Sequence, residues 1–226
     1  MKRIFDVIAA SFGLILVSPI LLIAAVAIKL DSSGPVLYRS RRVGKNGTSF
    51  AMLKLRTMVE DAEDMGPELT GSGDPRITRV GRHLRHWKID ELPQLVNVLR
   101  GEMSFVGPRP ECPKYVSRYT ADQLRILAIK PGITGPSQVM FRHEETLLQN
   151  CDDLEAVYLT RILPEKLAID LTYVDKNHSL LKDLWLIMLT LLCLFKPAKQ
   201  DDCDAPSGRK EHHAGEMPAS SRVPRC

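Results

Sequence analysis

Residues 7–28 are almost wholly apolar, interrupted only by Ser11, Gly13, Ser18 and Pro19. No other stretch restricts the fold as strongly. A helix needs about 20 apolar residues to cross a bilayer's hydrocarbon. A signal peptide would use Lys2-Arg3 and a cleavage site at Ala25-Val26-Ala27, but this run exceeds the usual apolar region of about 7–15 residues. Pro19 removes a backbone hydrogen bond and crowds the preceding turn, which kinks or breaks a helix. Lys2 and Arg3 precede the run, and Lys29, Arg39, Arg41 and Arg42 follow it. By the positive-inside rule both ends belong on the cytoplasmic side. Each half is about 11 residues, roughly 16 Å of helix, or half the hydrocarbon thickness. The expectation is a re-entrant helix-break-helix over residues 1–30, broken at Ser18-Pro19, with serine hydroxyls offsetting the exposed backbone. A kinked full span is the competing reading.

The remaining length suffices for one folded domain, expected over residues 31–196. Five cysteines, an odd number, show no CxxC or Cys/His spacing. A disulfide framework or zinc site is therefore not expected, and a reducing compartment fits. The net charge of +4 decides little, but its distribution is informative. Between residues 32 and 59 lie Arg39, Arg41, Arg42, Lys45, Lys54 and Arg56 with no acid, a composition suited to phosphates, anionic lipid or nucleic acid.

Asp31-Ser32-Ser33-Gly34-Pro35 is a turn cluster. A short strand at 36–38, an Asn46-Gly47 hairpin signal and a second strand over 50–58 follow. Lys54 and Arg56 alternate along that second strand and would share a face. Residues 60–75 read as a loop. Arg76, Arg79, Arg82, Arg85 and Lys88 then recur every third position, a basic stripe on a helix, and lead to Lys88-Ile89-Asp90-Glu91-Leu92-Pro93-Gln94-Leu95.

Two readings of Asp90-Glu91 stay open on these residues alone. Acidic residues before Pro93 suit the start of a helix as cap and dipole partners. Adjacent carboxylates can also divide labour, one as nucleophile and the other as base or metal ligand. The preceding cations are expected to lower a carboxyl's pKa and to hold an anionic substrate. Leu92, Leu95, Val96 and Leu99 continue with helical period to Arg100-Gly101. Pro108-Arg109-Pro110 then fixes the backbone around one arginine, which can act as a fork for phosphate.

The chain resembles the bacterial sugar transferases, the monotopic phosphoglycosyl transferases that act on polyprenyl phosphate. The resemblance rests on Lys2-Arg3 with Ser18-Pro19, Gly34-Pro35-Val36, Lys54-Leu55-Arg56-Thr57-Met58, Asp90-Glu91-Leu92-Pro93-Gln94-Leu95-Val96-Asn97-Val98-Leu99, Val106-Gly107-Pro108-Arg109-Pro110 and Lys130-Pro131-Gly132-Ile133-Thr134-Gly135. The spaced set Asp170, Tyr173, Ser179, Asp183, Ile187 and Thr190 extends it to about residue 196. The resemblance implies an α/β, mostly helical, monotopic membrane enzyme at the cytoplasmic face of the inner membrane. The implied reaction moves a sugar-1-phosphate from a UDP-sugar to undecaprenyl phosphate and releases UMP. It is the first membrane step of exopolysaccharide, lipopolysaccharide O-antigen, capsule or glycoprotein glycan synthesis. Asp90 is then the nucleophile and Mg²⁺ the metal, held by Asp90 and Glu91. Lys54, Arg56, Arg85, Arg109 and Arg142 are the expected substrate-binding residues. Membrane lipid is a partner, nucleic acid is not, and a homodimer is left open.

The chain departs from the pattern at Met140-Phe141-Arg142-His143, where many relatives have Asn-Gly-Arg, which leaves the sugar open. Arg142 is expected to keep the charge, and His143 to lie on the surface. The long N-terminal extension of larger relatives is not expected. Residues 153–172 read as an amphipathic helix kinked at Pro164, with Asp170 and Tyr173 in structural hydrogen bonds. The apolar residues 180–195 are short for a span and read as an interfacial or core helix. Residues 197–226 turn polar and read as a disordered tail. The rival of another class is a membrane-tethered binding or scaffold protein whose basic stripe holds anionic lipid or nucleic acid. Few aromatics and no nucleic-acid motif weaken its nucleic-acid form.

Overall fold

The structure is a computed structural model and describes residues 1–66, 69–70, 73–142, 144, 153–175 and 179–194. His143 and the expected tail, 197–226, lie outside them. The apolar run forms one helix, α1 (Lys2–Asp31), which continues through Pro19. The expected break is therefore absent. Proline at 19 leaves the carbonyl of Ile15 without its usual donor. The Ser18 hydroxyl donates to that carbonyl at 2.8 Å and keeps it bonded within the helix.

One side of α1 packs on the domain from end to end. Arg3 donates to the carbonyls of Val98 and Leu99, and Asp6 accepts from Ser104 Oγ at 2.9 Å. Ala10, with Leu14 and Val17, joins a cluster of Met52, Leu95, Val98 and Met103. Ala24 and Ile28, with Leu21, join Leu55 and Leu84. Asp31 closes the series by accepting the Val80 N–H at 3.0 Å. The intervals of three and four trace one helical stripe. The other side exposes Ile4, Ile8, Phe12, Ile15, Leu16, Leu22, Ile23, Val26 and Leu30.

β1 (Leu37–Val43) and β2 (Ser49–Leu55) pair antiparallel, with Leu37 opposite Leu55. Asn46 (φ 55°) and Gly47 (φ 77°) supply the left-handed residues of the connecting turn, as the Asn-Gly pair predicts. α2 (Arg79–His86) starts at a Thr78 cap, whose hydroxyl accepts the Gly81 N–H. α3 (Gln94–Arg100) carries Asn97, fully buried, which serves the edge of β2. Its Oδ1 accepts from Leu53 N at 3.0 Å and its Nδ2 donates to Ala51 O at 2.8 Å, as a neighbouring strand would.

β3 (Ser104–Val106) pairs in parallel with β4 (Gly132–Thr134), flanked by α4 (Pro113–Val116) and α5 (Pro136–Met140). The expected kinked helix is α6 (Leu154–Val157), a π-helical turn at Tyr158–Ile162, then α7 (Leu163–Asp175). The interruption is thus a widened turn placed just before Pro164. α8 (Leu180–Leu194) buries Asp183 and Leu186 and exposes Leu181, Trp185, Met188, Leu191 and Leu192. The described fold is mostly helical with two small two-stranded sheets, so the α/β expectation holds only in that coarse sense.

The spaced C-terminal residues are the ties between these elements. Asp170 accepts from Ser137 Oγ at 2.8 Å, Tyr173 donates to Asp183 at 2.7 Å, and Lys2 pairs with Asp183 at 2.7 Å. Thr190 and Thr134 share a hydrogen bond of 2.6 Å.

Candidate active site

α2 ends at His86, and Lys88 takes a left-handed conformation (φ 55°) that turns the chain sharply. Ile89–Glu91 follow as a short 3-10 turn, and α3 starts three residues later with Pro93 at its cap position. Asp90 therefore caps no helix, which removes the capping alternative. Its side chain is 6% exposed, and its Oδ1 is buried with no hydrogen-bond partner. A buried acceptor without a donor costs free energy and calls for an explanation.

Its neighbour is bound on two sides. Glu91 Oε1 accepts from Arg109 at 2.9 Å and from Lys54 at 3.1 Å. Lys54 comes from β2 and Arg109 from the rigid Pro108-Arg109-Pro110 segment, so two separate motifs converge on one oxygen of a third. Burial works against the Glu91 charge, but Arg109 and Lys54 outweigh it and hold the carboxyl well below its usual range. Glu91 in turn raises Arg109, while burial lowers Lys54. Asp90 moves the other way, up to about 6, through burial first and the Glu91 charge second. The expected lowering by the basic run is overturned. Lys54, Lys88 and Arg85 do pull Asp90 down, but desolvation and the adjacent carboxylate win.

Arg85 Nε donates to the Thr57 hydroxyl at 2.9 Å, beside the same cleft. Arg142 also lines it. Arg56 is committed to chain geometry: its guanidinium donates to the Ser33 carbonyl, and to Ser32 O at 2.9 Å and Ser32 Oγ at 3.0 Å. It lines the cleft while holding the turn that leaves α1. Ser18 and Pro19 belong to α1.

A second polar cluster escaped sequence reasoning. Glu111 Oε1 accepts from Tyr158 at 2.7 Å and from Lys166 at 3.4 Å, and Lys166 also pairs with Glu144 at 3.0 Å. Arg42 stands 3.9 Å from Glu111 Oε2. Its one sequence signal was an acid directly after Pro-Arg-Pro. The partners lie too far along the chain to be read from spacing.

Both clusters line one cleft of about 1920 Å³, which also reaches Phe5, Phe12 and Gly13 of α1 and Ile187, Thr190 and Leu191 of α8. Drug-sized ligands occupy clefts of about 300–1,000 Å³. This one is larger, and its lining joins the charged residues around Asp90 to apolar residues of α1 and α8. No group of three or more His, Cys, Asp or Glu converges among the described residues. Mg²⁺ does not require one, since it takes one or two carboxylates and completes its shell with water and phosphate oxygens. The unpartnered Asp90 Oδ1 beside Glu91 fits that donor set.

Residues 1–197 match the family model described as bacterial sugar transferase. The chain belongs to that family. Among its relatives is a UDP-glucose:undecaprenyl-phosphate glucose-1-phosphate transferase of Caulobacter vibrioides, 42% identical over 203 residues, covering 84% of this chain and 68% of the relative. The exopolysaccharide production protein ExoY of Rhizobium meliloti is 38% identical, with 85% of both chains covered. A UDP-N-acetylgalactosamine-undecaprenyl-phosphate N-acetylgalactosaminephosphotransferase of Aeromonas hydrophila is also 38% identical, but the match spans 42% of its length. The first and third of these bacterial sugar transferases carry different sugars in their names, which leaves the sugar of this chain open.

Proposed function

We propose that the protein transfers a sugar-1-phosphate from a UDP-sugar to undecaprenyl phosphate at the cytoplasmic face of the inner membrane. The observation that carries this reading is the pair at 90–91: a buried carboxylate whose Oδ1 has no partner, beside one neutralised by two cations. Asp90, once ionised, attacks the phosphorus that bears the sugar. The bond from that phosphorus to the bridging oxygen breaks, and UMP leaves with the electron pair. An oxygen of the lipid phosphate then attacks the same phosphorus, and Asp90 leaves as carboxylate. Using one nucleophile twice lets two anionic substrates take turns, and predicts ping-pong kinetics.

Arg109 and Lys54 hold Glu91 in place and put two positive charges where phosphate charge gathers. Arg85, oriented by Thr57, and Arg142 add charge around the donor's phosphates. Mg²⁺ bound by Asp90, Glu91 and substrate oxygens would neutralise the diphosphate and polarise the bond to UMP.

The packing of α1 supports a monotopic seat. Residues at both its ends bond to the same domain, Lys2 to Val106 O and Asp31 to Val80 N, so a crossing would have to pull one end away. The exposed apolar side would then lie in one leaflet.

The test is UMP release from detergent-solubilised protein given undecaprenyl phosphate, Mg²⁺ and a panel of UDP-sugars. Lipid-dependent release from one donor, lost in Asp90→Asn, is the expected result. Undiminished release in that variant would remove Asp90 as nucleophile. Incubation with the donor alone should add one sugar phosphate to the intact mass of the wild type and nothing to Asp90→Asn. Cysteine labels at both ends of α1 should react from the cytoplasmic side only.

A further inference from the structure

α2 has two unlike faces. Val80 and Leu84 pack inward with Leu21, Ala24 and Ile28 of α1. Gly81 lets the helix lie flush on the domain, because a Cβ there would run into the Thr57 carbonyl. Outward stand Arg79, Arg82, His83 and His86, all exposed and spaced three or four apart on one side. Trp87 follows, 53% exposed, edge-on to His86 at 5.1 Å. No acid occurs from 75 to 89. The carboxylate facing this stripe from the packed element is Asp31 at the end of α1, beside Arg79 and held by the Val80 N–H. Alongside α2, the second half of α1 exposes Leu22, Ile23, Val26 and Leu30.

A cationic helix edged by an aromatic residue and laid beside a lipid-facing helix has the chemistry of a headgroup-level element. We propose that this face of α2 binds the headgroups of anionic phospholipids and thereby sets the height at which the cleft meets the bilayer surface. The inference rests on the membrane seat of α1 proposed above.

Trp87 and Trp185 are the two tryptophans of the chain, so each can be isolated as a reporter. Full-length W185F protein is reconstituted in vesicles containing either brominated phosphatidylglycerol or the same amount of brominated phosphatidylcholine. The expected result is several-fold stronger quenching of Trp87 by the anionic lipid, screened away by salt. The preference should shrink with each arginine lost, and vanish in R79Q/R82Q/H83Q on the same background. Equal quenching by both lipids, or a preference that survives the triple variant, overturns the proposal. The W87F chain reads the membrane seat itself through Trp185 on the exposed side of α8. Trp185 quenched with Trp87 unaffected leaves the seat intact and sinks the role of α2; neither quenched sinks both. In detergent micelles the triple variant should release UMP at the wild-type rate. A loss there would assign these side chains to catalysis and overturn the lipid reading.

Discussion

Asp90 and Asp170 look alike by charge and differ in bonding. Both are buried aspartates, and burial is the main force lifting each carboxyl to about 6. Asp170 receives the Ser137 hydroxyl at 2.8 Å and the Ser137 N–H at 3.3 Å, which tie α7 to α5. Asp90 has a buried Oδ1 with nothing to accept from. Glu111 extends the contrast, since Tyr158, Lys166 and Arg42 surround it and its carboxyl is held low by Lys166 and Arg42 against burial. A raised pKa alone therefore does not single out a nucleophile. The distinguishing mark is an acceptor kept unsatisfied, because a buried group already bonded on all sides would have to break those bonds to react.

The sharpest break of this comparison is Asp90→Asn. Turnover should fall by roughly 10⁴-fold or more, as for other lost nucleophiles, with the far-UV circular dichroism unchanged. Next, Glu91→Gln removes the anion between Lys54 and Arg109, leaving two cations without a partner. It should destabilise by roughly 3 kcal/mol in thermal unfolding and reduce kcat beyond what the lost stability explains.

The pH dependence has a definite sign. On the proposed mechanism Asp90 is ionised when it attacks, so kcat for the first half-reaction should halve near pH 6 and fall about tenfold for each further unit of acid. Stability runs the opposite way. The folded carboxyl binds its proton more tightly than the unfolded one at 3.8, so its contribution is complete below about pH 4 and is lost as pH rises through about 6. Asp90→Asn should consequently gain stability at pH 7 and lose that slope, read by thermal unfolding across pH. Asp170→Ala should do the reverse, costing about 1–3 kcal/mol with kcat within twofold of wild type. If Asp170→Ala abolished turnover in folded protein, an unsatisfied acceptor would not be what separates the two aspartates. The smallest effect belongs to Ser18→Ala, which strips the Ile15 carbonyl of its donor and should cost about 1 kcal/mol or less of thermal stability in a bilayer.

Much of this arrangement was legible in the sequence because its determinants are local. Asn46-Gly47 fixed a turn, and the apolar run over 7–28 defined α1. The adjacent acids at 90–91 and the rigid arginine at 109, which the fold brings into contact, marked the candidate site. Most of the misreadings needed distant partners. The break expected at Pro19 did not: serine hydroxyls were expected to offset a broken backbone, and the Ser18 hydroxyl instead bonds the Ile15 carbonyl within a helix that runs on. Asp90 was expected to titrate low because the cations are close in sequence, whereas burial is supplied by the whole fold. Arg56, expected to bind substrate, also holds the turn at Ser32-Ser33, a contact that spacing does not reveal. Glu111, Tyr158 and Lys166 meet across 47 and 55 residues and leave no spacing to find.

The stripe of α1 that meets the domain has a consequence for how such an enzyme can be altered. Ala10, Ala24 and Ile28 are buried among the same side chains that form the interior around Leu95 and Leu84. α1 is therefore no leash, and cutting the chain after Asp31 would not set a catalytic domain free in solution. It would strip one wall from two apolar clusters and expose Met52, Leu55 and Val98 to water. A soluble version calls for redesign of that face. A helix borrowed from a membrane protein would carry the wrong stripe, so helix and catalyst have to change together.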